Sequence, residues 1–236
     1  MGPQNLRENV AAVRERIARA AGQAGRDVRS ITLLAVSKGQ PEQAIREGAA
    51  AGLVDFGESY LQEALDKLEA LRDLDLRWHF IGRMQANKTR LVAEHFDWVH
   101  SIDRAAIAER LSRQRPFHAP PLNLCLQVNV GGQATKGGVS LAELPRLAAH
   151  VASLPRVTVR GLMCIPPPEE DLQRQRRAFA PVRELYERLN REGARFDTLS
   201  LGMSGDLEAA ILEGSTMVRI GTALFGPRPS LQSRTP

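Results

Sequence analysis

Cysteine is almost missing from this sequence, with Cys125 and Cys164 the only two in 236 residues. Two thiols at that spacing form neither a disulfide framework nor a metal-ligand pattern. Each lies inside an apolar run, so both read as small buried hydrophobes in a reducing compartment. Long apolar runs are missing as well. No stretch reaches the roughly 20 residues that cross a bilayer, and the opening MGPQNLRENV lacks the apolar core and small-residue cleavage site of a secretion signal. A cytoplasmic chain with no membrane partner is expected. Aromatic residues make up only 5% of the chain, and the net charge of +5 comes from arginines interleaved with Glu and Asp along helical segments. That is a solvated helix surface without a stacking platform or recognition motif, which argues against a nucleic-acid partner. Lysine is the last scarcity: Lys38, Lys67, Lys88 and Lys136 are all there are. Arginine does the general solubilising, so each lysine carries individual interest.

What is present is an alternation. Leu6, Val10, Val13 and Ile17 repeat at helical spacing, giving an amphipathic helix that ends near the Gly25-Arg26-Asp27 turn. Short strand-like apolar runs follow at 31–37, 53–56, 77–81, 97–101, 122–128, 157–163, 198–202 and 217–221. Between them, Leu61, Ala64, Leu65, Leu68 and Leu71 share one helical face, as do Phe179, Val182, Leu185 and Leu189. Strands that each feed a helix pair in parallel, and short apolar ones are covered on both faces. Such a sheet is either open and doubly wound or closed. The number of strands and the chain length favour closure, an α/β fold of the (β/α)8 TIM-barrel type with an extra N-terminal helix. No linker divides the chain, so one domain is expected over 1–236, with helix and turn over 1–30 and a flexible tail over 227–236. No extra interface element stands out, and a monomer is expected.

In such a barrel the active site gathers at the C-terminal ends of the strands. Ser37-Lys38 ends the first run, and Gly57-Glu58-Ser59-Tyr60 follows the second. Gly202-Met203-Ser204-Gly205 follows the seventh, and Arg219-Ile220-Gly221-Thr222 closes the eighth. The loops after strands seven and eight form phosphate sites in this fold, using backbone N–H groups. Ser204 reads as an N-cap, and Gly221-Thr222 as a close-approach backbone with a hydroxyl. Either loop alone is ordinary turn chemistry, and Asp206 and Glu208 suit a helix start equally well. The two loops together, on these two strands, favour phosphate.

Lys38 should extend its stem into the mouth. A lysine partly removed from water loses affinity for its proton, and its neutral amine can condense with a carbonyl. A phosphate site beside such a lysine admits pyridoxal 5′-phosphate (PLP) or a sugar phosphate in a Schiff-base aldolase. Arg219 faces the same mouth, and a guanidinium only donates hydrogen bonds. Against a pyridine nitrogen it would keep that atom unprotonated and weaken the electron sink; in an aldolase it would be another phosphate contact. The residues alone leave the choice open.

AVSK (35–38), FGESY (56–60), WHFIGRMQANK (78–88), SIDR (101–104), TKGG (135–138), LSLGMSGDLEAAI (199–211) and STMVRIGTALFG (215–226) together resemble the YggS/PROSC family of PLP-homeostasis proteins. That family shares its barrel with the N-terminal domain of alanine racemase. The resemblance covers most of the chain with its motifs in order. It implies a Schiff base between PLP and Lys38, a phosphate held by Ser204, Gly221 and Thr222, and Arg219 opposite the pyridine nitrogen, with Met203 and Ser59 as further cofactor-binding positions. It also implies a part for Lys136 in cofactor exchange, beside the plain reading of a solvated loop lysine. At Ser59 the family usually has asparagine, so a contact made by a longer amide is lost or bridged by water. Racemases of this type add a β-rich second domain with an opposing base, and the chain stops soon after strand eight. The expectation is therefore a PLP carrier that buffers or delivers the cofactor, with PLP-dependent apo-enzymes as recipients. A weak racemase-type enzyme and a Schiff-base aldolase stand as the alternatives.

Overall fold

Apolar strands that alternate with amphipathic helices must cover both faces of one sheet, and closing that sheet on itself removes its edges. The computed structural model, which describes residues 6–131 and 137–227, adopts this closure. Lys136 and the segment from 228 onward lie outside the described residues.

The chain opens with α1 (Leu6–Gln23), whose Leu6, Val10, Val13 and Ile17 are buried against the barrel. There follow β1 (Thr32–Val36), α2 (Glu42–Ala50), β2 (Asp55–Glu58), α3 (Leu61–Ala70), β3 (Arg77–Phe80), α4 (Thr89–His95), β4 (Trp98–Ile102) and α5 (Ala105–Gln114). The second half runs β5 (Leu122–Val128), α6 (Leu144–Ala152), β6 (Val157–Cys164), α7 (Leu172–Arg191), β7 (Thr198–Ser200), α8 (Leu207–Leu212), β8 (Met217–Ile220) and the short α9 (Thr222–Phe225). All strands pair in parallel in sequence order, and β8 pairs back on β1 to close the barrel. The predicted TIM-type architecture is thus present.

One strand is displaced from its predicted position. The apolar run 53–56 reads as β2, yet the strand is Asp55–Glu58 and every residue in it is buried. Gly57 and Glu58 look like loop residues, but Phe56 to Glu58 pair in register with Trp78 to Phe80. Lys67 of α3 makes burial of Glu58 tolerable, donating to its Oε1 at 2.7 Å, as does the Ser37 hydroxyl at 2.7 Å. Burial still raises the Glu58 pKa, against the pull of Lys67 and Ser37.

Alternation along the strands fixes which side chains enter the barrel. Thr32, Asp55, Arg77, Trp98, Asn123, Thr198 and Met217 face the N-terminal end, where they line a polar opening. Val36, Ile81, Met163 and Arg219 face the C-terminal end, the mouth.

Candidate functional site

The mouth holds a cavity of about 260 Å³ lined by Val36, Lys38, Ile81, Met163, Ile165, Met203, Ser204, Gly205, Arg219, Gly221 and Thr222. Lys38 is half-buried, two residues beyond the last residue of β1, so alternation carries its stem inward after Leu34 and Val36. The backbone on both sides of Lys38 is tied to α3: Lys67 Nζ donates to the Ser37 carbonyl at 2.8 Å, and the Gly39 N–H donates to Glu63 at 2.6 Å. Lys67 also bonds Glu63, so this i,i+4 pair braces the end of β1.

Two loops form the opposite wall. Gly202 has φ +91°, and a Cβ there would stand 2.6 Å from that of Ala210, so only glycine lets the chain turn so close to α8. Ser204 does not cap that helix. The residue before α8 is Asp206, which makes no side-chain capping bond. The Ser204 hydroxyl instead accepts from the Ala223 N–H at 3.3 Å, joining the β7–α8 loop to the start of α9. Asp206, not Ser204, holds the position before α8, and its carboxylate accepts from the Met203 N–H. Glu208 is committed elsewhere, to Arg16 of α1 at 2.7 Å.

Gly205 and Gly221 also line the cavity, and nothing in the fold demands glycine at either. A Cβ at Gly205 would meet nothing within 4 Å, and one at Gly221 only ordinary contact with Val36 at 3.4 Å. Neither has the positive φ that favours glycine. What the missing side chains leave is room in the cradle.

Arg219 forms the floor. It is buried, and burial lowers its pKa from the usual guanidinium value. Its Nη1 donates to the Ser200 carbonyl at 2.6 Å and the Ser200 hydroxyl at 2.8 Å, and its Nη2 to the Cys164 carbonyl at 2.9 Å. All three acceptors are neutral. Cys125 and Cys164 are fully buried, and burial pushes both thiols up to about 12, so neither is a nucleophile.

Of the residues singled out in the sequence, Lys38, Met203, Ser204, Arg219, Gly221 and Thr222 meet in this cavity. Ser59 is half-buried just past β2 and is not among the lining residues. Sequence reasoning missed the bracing from α1. Besides Glu208, Arg16 reaches the Ser204 carbonyl at 3.0 Å, and Asn9 donates to the Leu224 carbonyl at 2.8 Å. It also missed Glu58 with Lys67, and the histidines behind Arg219. None of these had a signal in its local sequence, because each is defined by a partner on another element.

Residues 3–229 match the family model described as "Alanine racemase, N-terminal domain". The chain is 59% identical over 223 residues to the pyridoxal phosphate homeostasis protein of Pseudomonas aeruginosa, covering 94% of this chain and 96% of that one. It is 52% identical over 227 residues to the Escherichia coli K12 protein of the same name, with 95% and 97% covered. Among solved structures, PipY of Synechococcus elongatus PCC7942 with PLP bound superposes with a TM-score of 0.75 at 40% identity, covering 89% of this chain and all of that one (100%). Alanine racemase from Corynebacterium glutamicum superposes with a TM-score of 0.68 at 19% identity, and 62% of that longer chain is matched, which speaks for the shared barrel alone.

Proposed function

The chain belongs to the family of the alanine racemase N-terminal domain, and on that footing we propose that it binds pyridoxal 5′-phosphate and serves its homeostasis, holding the cofactor as a Schiff base on Lys38. One observation carries this reading: a single cavity brings together Lys38, two vacant glycine positions, two hydroxyls and a buried arginine held by neutral acceptors. The set suits the group. Ser204, Gly205, Gly221 and Thr222 would take the phosphate with hydroxyl and backbone donors, and the Gly205 and Gly221 positions leave the volume that phosphate needs. Arg219, a donor only, would face the pyridine nitrogen and keep it unprotonated. The Lys38 amine would add to the aldehyde carbon, and the carbonyl oxygen would leave as water. The relatives' names and the PLP-bound neighbour support the same reading.

The cofactor would be held more than used. Lys38 and Arg219 are the ionisable groups among the described lining residues, one just past β1 and the other on the neighbouring β8, whereas racemisation needs a base on each side of a bound amino acid. We extend the proposal to a cytoplasmic monomer, a single barrel that passes PLP to apo-enzymes. Titration of the purified protein with PLP, followed by absorption, tests the core of it. A visible band should appear and be lost in Lys38→Ala. Protein that stays colourless at saturating PLP would overturn the reading, and steady racemisation of an amino-acid panel would overturn the carrier role.

A further inference from the structure

Barrel interiors of this fold are usually filled by branched aliphatic residues. Here a line of polar side chains crosses the interior from one end to the other. Asp55, at the N-terminal end of β2, has Oδ1 2.9 Å from His79 Nε2. His79 Nδ1 lies 3.0 Å from His100 Nε2, and His100 Nδ1 lies 3.1 Å from the Ser200 hydroxyl. Ser200 Oγ then accepts from Arg219 at 2.8 Å. All five residues are buried. His79 is fixed further by stacking on Trp98, with ring centroids 5.3 Å apart and planes 11° from parallel.

The direction of the line follows from its ends. Arg219 can only donate, and an ionised Asp55 can only accept. Burial lowers the pKa of both histidines, leaving them neutral, so each ring has one donor and one acceptor. Hydrogen bonds from His79 and Arg77 hold Asp55 below the usual carboxylate range in spite of its burial. With those constraints a single assignment satisfies every link. Arg219 donates to Ser200, Ser200 to His100 Nδ1, His100 Nε2–H to His79 Nδ1, and His79 Nε2–H to Asp55.

We propose that Asp55, His79, His100 and Ser200 are positioning residues for Arg219, and that through them the carboxylate at the N-terminal end of the barrel is energetically coupled to the cofactor pocket at the mouth. Asp55 sets both ring tautomers, and those tautomers turn the Ser200 proton away from the guanidinium, leaving Oγ as its acceptor. Arg219 is thereby anchored from below, with its remaining edge on the cavity. The line does not conduct protons, because its first donor is an arginine that keeps its proton. The link to PLP rests on the function proposed above; the hydrogen-bond direction does not.

Two measurements test this. Histidine side-chain ¹⁵N–¹H correlation spectra of the unsubstituted full chain, without added PLP, should show His79 and His100 both protonated at Nε2 and not at Nδ1. A proton on Nδ1 of either ring would overturn the proposed direction, whatever the protein binds. In a double-mutant cycle, Asp55→Ala should weaken PLP binding roughly 5- to 10-fold in the otherwise native chain and leave it unchanged in the Ser200→Ala background. The same factor in both backgrounds, or none in the first, would overturn the coupling. Should Asp55→Ala fail to fold, His79→Gln takes its place in the cycle with the same expected outcomes. Failure of the unsubstituted protein to take up PLP would instead sink the functional reading.

Discussion

The two ends of the barrel are both polar and both hollow, yet only one is arranged for a ligand. At the N-terminal opening the space is about 400 Å³, larger than the mouth cavity of about 260 Å³. Its charges, however, are already matched. Arg160 makes three hydrogen bonds to Asp197 and one to Asn123, and Arg77 pairs with Asp55 at 2.7 Å. At the mouth, Arg219 is held by two carbonyls and a hydroxyl. A buried guanidinium whose hydrogen bonds go to neutral acceptors, together with vacant glycine positions, marks a site for an anion better than volume does.

That contrast can be broken in several ways. Lys38→Ala should abolish the PLP absorption band while leaving thermal stability almost unchanged, whereas Arg160→Ala should leave PLP binding intact; a PLP defect in Arg160→Ala would erase the distinction. Lys67→Met leaves Glu58 buried without its cation and should cost about 3–5 kcal/mol in denaturant unfolding. A cost below about 1 kcal/mol would show that the brace beneath Lys38 is dispensable.

The histidines between the two ends predict acid sensitivity. Both are neutral when folded, with pKa values held below 6.5 by burial. Below about pH 6.5 the unfolded chain therefore binds more protons than the folded one, and stability falls as the pH falls. From pH 6.5 to 5.5 the two rings together should remove up to about 2 kcal/mol. A melting temperature that stays flat from about pH 8 to 5.5 would contradict the neutral assignment. Smallest is the cradle: Gly221→Ala should weaken PLP about tenfold, near 1.4 kcal/mol of binding, and change folding stability by less than about 0.5 kcal/mol. Unchanged affinity, measured by equilibrium dialysis, would show that the space left at Gly221 is not used.

Much of this was legible from local pattern alone. Alternating strand and helix periods give the barrel, and the barrel's geometry says which strand ends converge, which is why Lys38, Met203, Ser204, Arg219, Gly221 and Thr222 are legible in the sequence as neighbours. Other features had no local signature. Gly57-Glu58 looks like a turn until Lys67, nine positions on, supplies the counter-charge. His79 and His100 sit among aromatic and aliphatic neighbours in short runs, and only the closed register shows that both point inward. Ser204 offered a helix cap in sequence, but a contact with Ala223 across the mouth decides its orientation.

The bracing of the cradle by α1 has a consequence in time. Asn9 meets Leu224 across 215 positions of sequence, and Arg16 meets Glu208 across 192. In a chain made N-terminus first, α1 waits for the groups it clamps, which are synthesised about 190 to 215 positions after it. Contacts of such long range are slow to form. The cradle between α8 and α9 therefore takes its final form only when the barrel has closed against α1.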